Sequence, residues 1–183
     1  MNESRLALAP VMIRDCAEAD IDSVAAIYGH YVRTSLATFE EIAPSPTEMA
    51  QRRVDLLAAG LPFLIASDAR AGVVGFAYAG YYRPRAAYRF TLEDSIYVAA
   101  EVTRRGIGHA LLTRLVEECA AAGFRQMVAV IGDSANAASI GLHEKSGFAR
   151  VGVQQAVGFK LGRWVDGVIM QRALGPGAAT SPL

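Results

Sequence analysis

The stretch from Glu93 to Gly123 leaves this chain the fewest choices. Ser95–Val98 is a short β-branched and aromatic run of strand composition. Four connecting residues later comes Thr103-Arg104-Arg105-Gly106-Ile107-Gly108-His109. From Ile107 the apolar residues fall at Leu111, Leu112, Leu115, Val116 and Cys119, the spacing of an amphipathic helix. Gly123 stands where that helix needs a left-handed residue to end. The stretch therefore predicts a strand, a basic glycine turn and a helix in succession. Such a unit aims successive backbone N–H groups and the positive end of a helix dipole at one spot, which suits a pyrophosphate. Glycines at 106 and 108 let the backbone approach an anion with no Cβ between. Glycines also begin helices for structural reasons alone, so the turn by itself leaves both readings open. Leu111 breaks the dinucleotide pattern G-x-G-x-x-G, and no G-x-x-x-x-G-K-[ST] occurs, which argues against a nucleoside-triphosphate loop.

A chain of 183 residues with 52% hydrophobic residues suits one domain with a sizeable core. Its 18 basic and 18 acidic side chains balance, which disfavours a broad nucleic-acid surface and leaves room for a local basic pocket. Cys16 and Cys119 are far apart in apolar surroundings and read as reduced, packed thiols. No apolar run reaches the ~18 residues of a membrane span. The opening MNESRLALAP lacks the basic start and long apolar segment of a signal peptide, so a cytoplasmic protein is expected.

Val11–Arg14 reads as a first strand, and Asp20 opens a helix with Ile21, Val24, Ile27, Tyr28 and Tyr31 on one face. Tyr28 and Tyr31 read as core or pocket wall, with core favoured. Ser45-Pro46-Thr47-Glu48 is a capping box whose helix runs to about Ala59 before Gly60. Pro62–Ser67 and Val73–Tyr82 form a hairpin around Asp68–Gly72, and a polar, aromatic loop, Arg83–Arg89, leads into the central stretch. Met127–Ile131 is apolar throughout, as in a strand buried on both faces. A short helix spans Asn136–Lys145. Phe148–Gln154 and Val165–Gln171 are the last strands, with Gly158–Trp164 between them. The Gly/Ala/Pro/Ser-rich segment 174–183 reads as a disordered tail. One mixed α/β (α+β) domain over residues 11–173 accommodates all of this.

This order of elements resembles the GCN5-related N-acetyltransferases, whose turn Q/R-x-x-G-x-G/A is matched by Thr103–Gly108 except at Thr103. Within that superfamily several separated motifs look like phosphinothricin acetyltransferases and their methionine sulfone/sulfoximine relatives: Glu93–Val98, Val128–Ile131, Asn136 to His143, Gly147-Phe148, and Gly158-Phe159-Lys160 to Trp164. The resemblance implies a single mixed twisted sheet flanked by helices, acetyl-CoA as donor, and a homodimer. It implies that Ile96, Tyr97 and Val98 offer strand backbone to the pantetheine arm, as a sheet edge does to a peptide. It further implies that Arg104, Arg105, Gly106, Ile107, Gly108 and His109 cradle the pyrophosphate, that Asn136 hydrogen-bonds the pantetheine, and that Lys145 joins the donor site. Acceptor contacts are implied at Tyr28, Ala86, Ala87, Tyr88 and Ile96; Phe159 and Trp164 read as pocket wall, of this subunit or of a neighbouring one, and Trp164 reads equally as core packing.

Acetyl transfer to an amine needs a group to take the ammonium proton, stabilisation of the thioester oxygen, and a leaving thiolate. Glu93, just before the central strand, is the candidate base if partial burial tunes its pKa. Read alone it is a strand-edge surface glutamate; the resemblance turns that toward catalysis. His143 occupies a place where the resemblance puts a histidine, and its imidazole suits an acid, a base or a structural role. Arg83 and Arg85 are candidates to hold an acceptor carboxylate in bidentate fashion, and each reads equally as part of a solvated loop face. His30 and His109 lack partners at ligand spacing, so no metal site is expected. The expected activity is acetylation of the α-amino group of a small amino-acid analogue. The alternatives are a same-fold enzyme for another small amine or a protein N-terminus, and a non-catalytic acyl-CoA-binding module.

Overall fold

The computed structural model describes residues 11–182; the N-terminal segment judged to lack a signal peptide lies outside the described residues. Seven strands form one mixed sheet: β1 (Met12–Asp15), β2 (Phe63–Asp68), β3 (Gly72–Tyr81), β4 (Thr91–Val98), β5 (Gln126–Gly132), β6 (Ala149–Lys160) and β7 (Arg163–Ala173). Four helices accompany them: α1 (Ile21–Thr34), α2 (Pro46–Ala58), α3 (Ile107–Ala121) and α4 (Ala137–Lys145). The strand order is β1-β2-β3-β4-β5-β7-β6, and β4 and β5 are the parallel neighbours in it.

Period-two alternation explains how the sheet buries both faces. In β2, Phe63 and Ile65 join Phe76 of β3 against Val24 of α1 and Met49 of α2. Leu64 and Ala66 point the other way, into a second core with Leu111, Leu112 and Leu115 of α3. All these side chains are buried, and α3 presents the apolar stripe read from its spacing. The predicted capping box is present: Ser45 Oγ accepts from the Glu48 amide, and Glu48 accepts from the Ser45 amide at 2.7 Å. Both thiols are buried and free, and burial pushes Cys16 up to about 11 and Cys119 up to about 12.

The C-terminal third departs from expectation in two places. β6 does not stop at Gln154; it bulges between Gln154 and Gly158 and runs to Lys160, so Gly158–Trp164 is the tip of a long hairpin rather than a connecting loop. The turn residues Leu161 and Gly162 have φ of 50° and 77°, the paired left-handed conformation of a two-residue hairpin turn. Residues 174–182, read as a disordered tail, follow β7 in a turn held to the body. Leu174 is buried, and Arg125 donates to the Gly177 carbonyl and to Thr180 Oγ1. Composition flagged the small residues there and gave no weight to Arg125 reaching across.

Candidate active site

β4 and β5 pair over only three positions, Thr91↔Gln126, Leu92↔Met127 and Glu93↔Val128. Beyond Glu93, β4 stays with β3 and β5 stays with β7, so the two parallel neighbours part and leave a wedge between them. The wedge opens into a cleft of about 1320 Å³, walled by β4, the end of β5, the first turn of α3, α4, and the loop from Ser35 to Glu40.

At the mouth of the wedge the glycine turn takes the geometry the sequence predicts. Arg104 and Gly106 have φ of 64° and 78°, and α3 begins at the next residue with no side chain capping it. Its first N–H groups therefore lack intrahelical acceptors and face the cleft end, as an anion site requires. Gly106 is needed for its left-handed backbone. Gly108 lines the cleft and also has a packing role: a Cβ there would stand 3.2 Å from Leu142 Cδ2, so the glycine lets α3 pack closely on α4. His109 lines the cleft and its Nδ1 lies 3.1 Å from Ser146 Oγ. Asn136 also lines it, but its side chain caps α4: Oδ1 accepts from the Ser139 amide at 3.2 Å and Nδ2 donates to the Gly132 carbonyl at 3.4 Å. Lys145 and the strand residues Ile96, Tyr97 and Val98 stand on the same walls, whereas Arg105 is not among the lining residues.

The other wall is aromatic. Tyr28, buried as favoured, is also pocket wall; its hydroxyl pairs with Thr38 Oγ1 at 2.9 Å and its ring meets Tyr97 edge-on at 4.9 Å. Burial pushes the Tyr28 hydroxyl up to about 12, so it stays protonated. Tyr31 donates to the Val98 carbonyl at 2.6 Å, tying α1 to the far end of β4.

Glu93 sits at the vertex where β4 leaves β5, half-buried. Burial raises its pKa, the neighbouring Asp94 adds to the rise, and Arg83 opposes it. His143 stands on the other side of β4 from the aromatic wall, lines the same cleft together with Asp94, and is 2% exposed. Its Nε2 is 3.0 Å from Asp94 Oδ2 and its Nδ1 is 2.7 Å from the Ser139 carbonyl oxygen. Burial works against its charge, but the Asp94 bond and charge, helped by the Ser139 carbonyl, outweigh it and raise the imidazole pKa.

The structure does not bring every expected acceptor residue to the cleft. Ala86, Ala87 and Tyr88 form a 3-10 turn on the surface, and Arg83 stacks on the Tyr82 ring at 5.0 Å; none of these lines the cleft, nor does Arg85. Phe159 is 56% exposed, because β6–β7 pairing sets it against Trp164 at the hairpin tip, and it does not line the cleft.

Three features escaped sequence reasoning. Asp94 had a readable signal: with Leu92 and Ile96 it occupies one face of β4, an acid in an otherwise apolar row. The loop Ser35–Glu40 carried none, being too irregular for periodicity. It is held by Lys160, which is 3% exposed and donates to the Thr38 carbonyl at 2.8 Å. Gly132 is fitted against the same loop, since a Cβ there would stand 2.0 Å from the Leu36 carbonyl oxygen. Among the described residues no group of three or more His, Cys, Asp or Glu could hold a metal ion, and no helix is long and apolar enough to cross a membrane.

Comparison with known proteins agrees with this geometry. A family model described as Acetyltransferase (GNAT) family matches residues 25–148. The chain is 48% identical to the phosphinothricin N-acetyltransferase of Alcaligenes faecalis over 177 residues, covering 97% of this chain and 89% of that one. It is 42% identical to the L-methionine sulfoximine/L-methionine sulfone acetyltransferase of Pseudomonas aeruginosa over 167 residues, 90% of this chain and 95% of that one. Among solved structures, a GNAT superfamily phosphinothricin acetyltransferase from Sinorhizobium meliloti in complex with AcCoA superposes with a TM-score of 0.91. The two share 47% identity over 96% of this chain and 94% of that one.

Proposed function

This chain belongs to the GNAT acetyltransferase family and is an acetyl-CoA-dependent N-acetyltransferase; we propose that its acceptor is the α-amino group of a small amino-acid analogue of the phosphinothricin, methionine sulfone or methionine sulfoximine type. The observation that carries this reading is the position of Glu93, a half-buried carboxylate with a raised pKa at the vertex of the wedge. A donor arm lying along β4 brings its thioester there, and the aromatic wall beside it has room for a compact acceptor.

The donor fits what the wedge offers. The uncapped N-terminus of α3 and the left-handed residues Arg104 and Gly106 suit a pyrophosphate, with Ile107, Gly108 and His109 supplying the first helical turn. Ile96, Tyr97 and Val98, past the end of the β4–β5 ladder, suit an amide-bearing arm. Arg105 belongs to the same turn, and Asn136 and Lys145 stand on the facing helix. In the reaction Glu93 takes a proton from the acceptor ammonium, directly or through water. The freed amine attacks the thioester carbonyl, the C–N bond forms, the C–S bond breaks, and the nitrogen sheds its second proton as the thiolate departs, that proton ending on the CoA thiol. Arg83, whose charge already acts on Glu93, is the nearer candidate for the acceptor carboxylate, with Arg85 next to it in the loop.

The same cleft supports a second reading, acetylation of another small amine or a protein N-terminus, because the loop bearing Ala86, Ala87 and Tyr88 does not close over it. CoA release by the purified protein decides between them, with L-phosphinothricin, L-methionine sulfone and L-methionine sulfoximine run beside free amino acids and short peptides. Turnover confined to peptides overturns the amino-acid acceptor and keeps the donor.

We also propose a homodimer, supported by the apolar strip Val151, Val157, Phe159, Leu161 and Trp164, each more than half exposed along edge strand β6, its turn and the start of β7. Sedimentation of the W164E variant as a monomer beside a wild-type dimer tests it. A cytoplasmic location is proposed from the two buried, unpaired thiols.

A further inference from the structure

We propose that Asp94 and His143 share one proton that they keep throughout turnover, so that Asp94 is a positioning residue that locks His143 as a double hydrogen-bond donor and removes it from acid–base chemistry. The inference deepens the reading of this cleft as an acetyltransferase site, and rests on it only for the kinetic part of its test.

The geometry allows few proton arrangements. The Ser139 carbonyl oxygen, 2.7 Å from Nδ1, can only accept, so Nδ1 carries a hydrogen. Nε2 faces Asp94 Oδ2 at 3.0 Å. With a proton between them the contact is a hydrogen bond, drawn either as imidazolium with carboxylate or as imidazole with carboxylic acid. Without it a nitrogen lone pair faces a carboxylate oxygen. Both side chains are 2% exposed, so water does not relieve that repulsion. Among the described residues Asp94 Oδ1 is buried with no hydrogen-bond partner, and His143 is the hydrogen-bond partner of this carboxylate.

Ser139 Oγ also approaches Nδ1, but at 3.5 Å it is much farther than the carbonyl oxygen at 2.7 Å, so the carbonyl sets the Nδ1 hydrogen. From β4 comes Asp94, with Glu93 pointing to the other face. From α3 comes Cys119, which burial holds as the neutral thiol and which feels the Asp94 charge. From α4 itself comes Ser139, one helical turn back. Phe148 closes the ring edge-on at 5.0 Å. Asp94 is thus the charge acting on His143, and burial, which opposes an imidazolium, is outweighed by it.

Two consequences follow for the reaction. Both ring N–H groups point at protein acceptors, so what His143 offers the cleft is the carbon edge of its ring. The pair also bolts β4 to α4 across the wedge, from the residue next to Glu93 to the helix that Asn136 caps. It fixes the width of the wedge, and Glu93 is left as the group that moves a proton.

Nitrogen NMR of the full chain labelled with ¹⁵N-histidine tests this without substrate; the chain has three histidines, and the H143N variant assigns the resonances. The expected result is that both His143 nitrogens stay protonated between about pH 5 and 8, where an ordinary histidine changes charge. A His143 that loses a proton in that window, or carries only one at its start, overturns the proposal. In steady-state kinetics H143N is expected to keep kcat within about tenfold of wild type with the same pH profile. A loss of roughly 10²-fold or more, together with loss of one limb, is the mark of a proton-transfer group and overturns it. If H143N does not fold, D94N serves: its amide can donate to a bare Nε2, so His143 becomes singly protonated while the kcat limb stays where Glu93 sets it. A kcat limb in D94N that tracks the His143 resonance overturns the proposal. Failure of the acceptor reading is distinguishable, since it appears as wild-type silence in the CoA assay with the NMR result intact.

Discussion

Glu93 and Asp94 are neighbours on one strand, yet the strand's alternation gives them opposite surroundings. Glu93 faces the aromatic wall and the open cleft, half-buried, with Arg83 as the opposing charge that acts on it. Asp94 faces the opposite side, toward α3 and α4, with its side chain 2% exposed and His143 at 3.0 Å. The contrast teaches what separates a reactive carboxylate from a structural one. Both lie in a low-dielectric setting, and the difference is whether the charge has a fixed partner. A paired carboxylate holds its proton arrangement; an unpaired one beside an acceptor site can change it during a reaction.

The contrast breaks most sharply if the two positions respond alike to mutation. E93Q is expected to lower kcat by roughly 10²- to 10⁴-fold, the span of general acid–base catalysis, with the calorimetric Kd for acetyl-CoA unchanged. Wild-type turnover in that variant would sink the base assignment. D94A should act on stability instead, losing about 3–5 kcal/mol in denaturant titration because it strands the proton-bearing His143 in the core. A loss below about 1 kcal/mol, the range of exposed ion pairs, would mean that the pair is not sealed. A smaller effect sharpens the comparison. R83Q removes the charge that opposes the Glu93 shift, so the rising limb of the pH–rate profile, already above the ordinary carboxylate value of about 4.3, should move further up.

Much of this could be read from the chain before the fold was known, and the boundary is physical. The glycine turn, the α3 stripe and the Ser45 capping box are local: each depends on residues within a few positions, and each appears as read. Glu93 was legible because it stands two positions before the Ser95–Val98 run, whose strand signature is strong and whose strand in the fold begins earlier, at Thr91. What escaped depends on contacts between distant segments. Lys160 reaches Thr38 from 122 residues away, and no periodicity announces it. The 83–89 loop was assigned to the acceptor by resemblance, yet its surface 3-10 turn stands apart from the cleft lining. Asp94 is the intermediate case. Its parity with Leu92 and Ile96 was visible, but its partner lies 49 positions on, and without His143 in view an acid in an apolar row reads as noise.

The smallest expected effect probes the same contrast through stability and pH. The Glu93 pKa is raised in the folded protein, so folding favours its protonated form. A group shifted in that direction gives its full contribution to stability below its unfolded pKa, and that contribution is lost as pH rises through the folded value. Near neutrality the ionised Glu93 therefore weighs against the fold, as a reactive group held in readiness should. E93Q, neutral at every pH, should melt higher than wild type above the Glu93 transition and converge with it in acid. His143 is also raised, so its contribution is present below the unfolded histidine value of about 6.5 and is lost only as pH climbs through the higher folded one. Melting temperatures of wild type and E93Q across this range should then separate in two windows, one set by the raised Glu93 carboxyl and one by the raised His143 imidazole. If the E93Q curve runs parallel to wild type throughout, Glu93 is not strained by its position, and the distinction between the two faces of β4 loses its energetic basis.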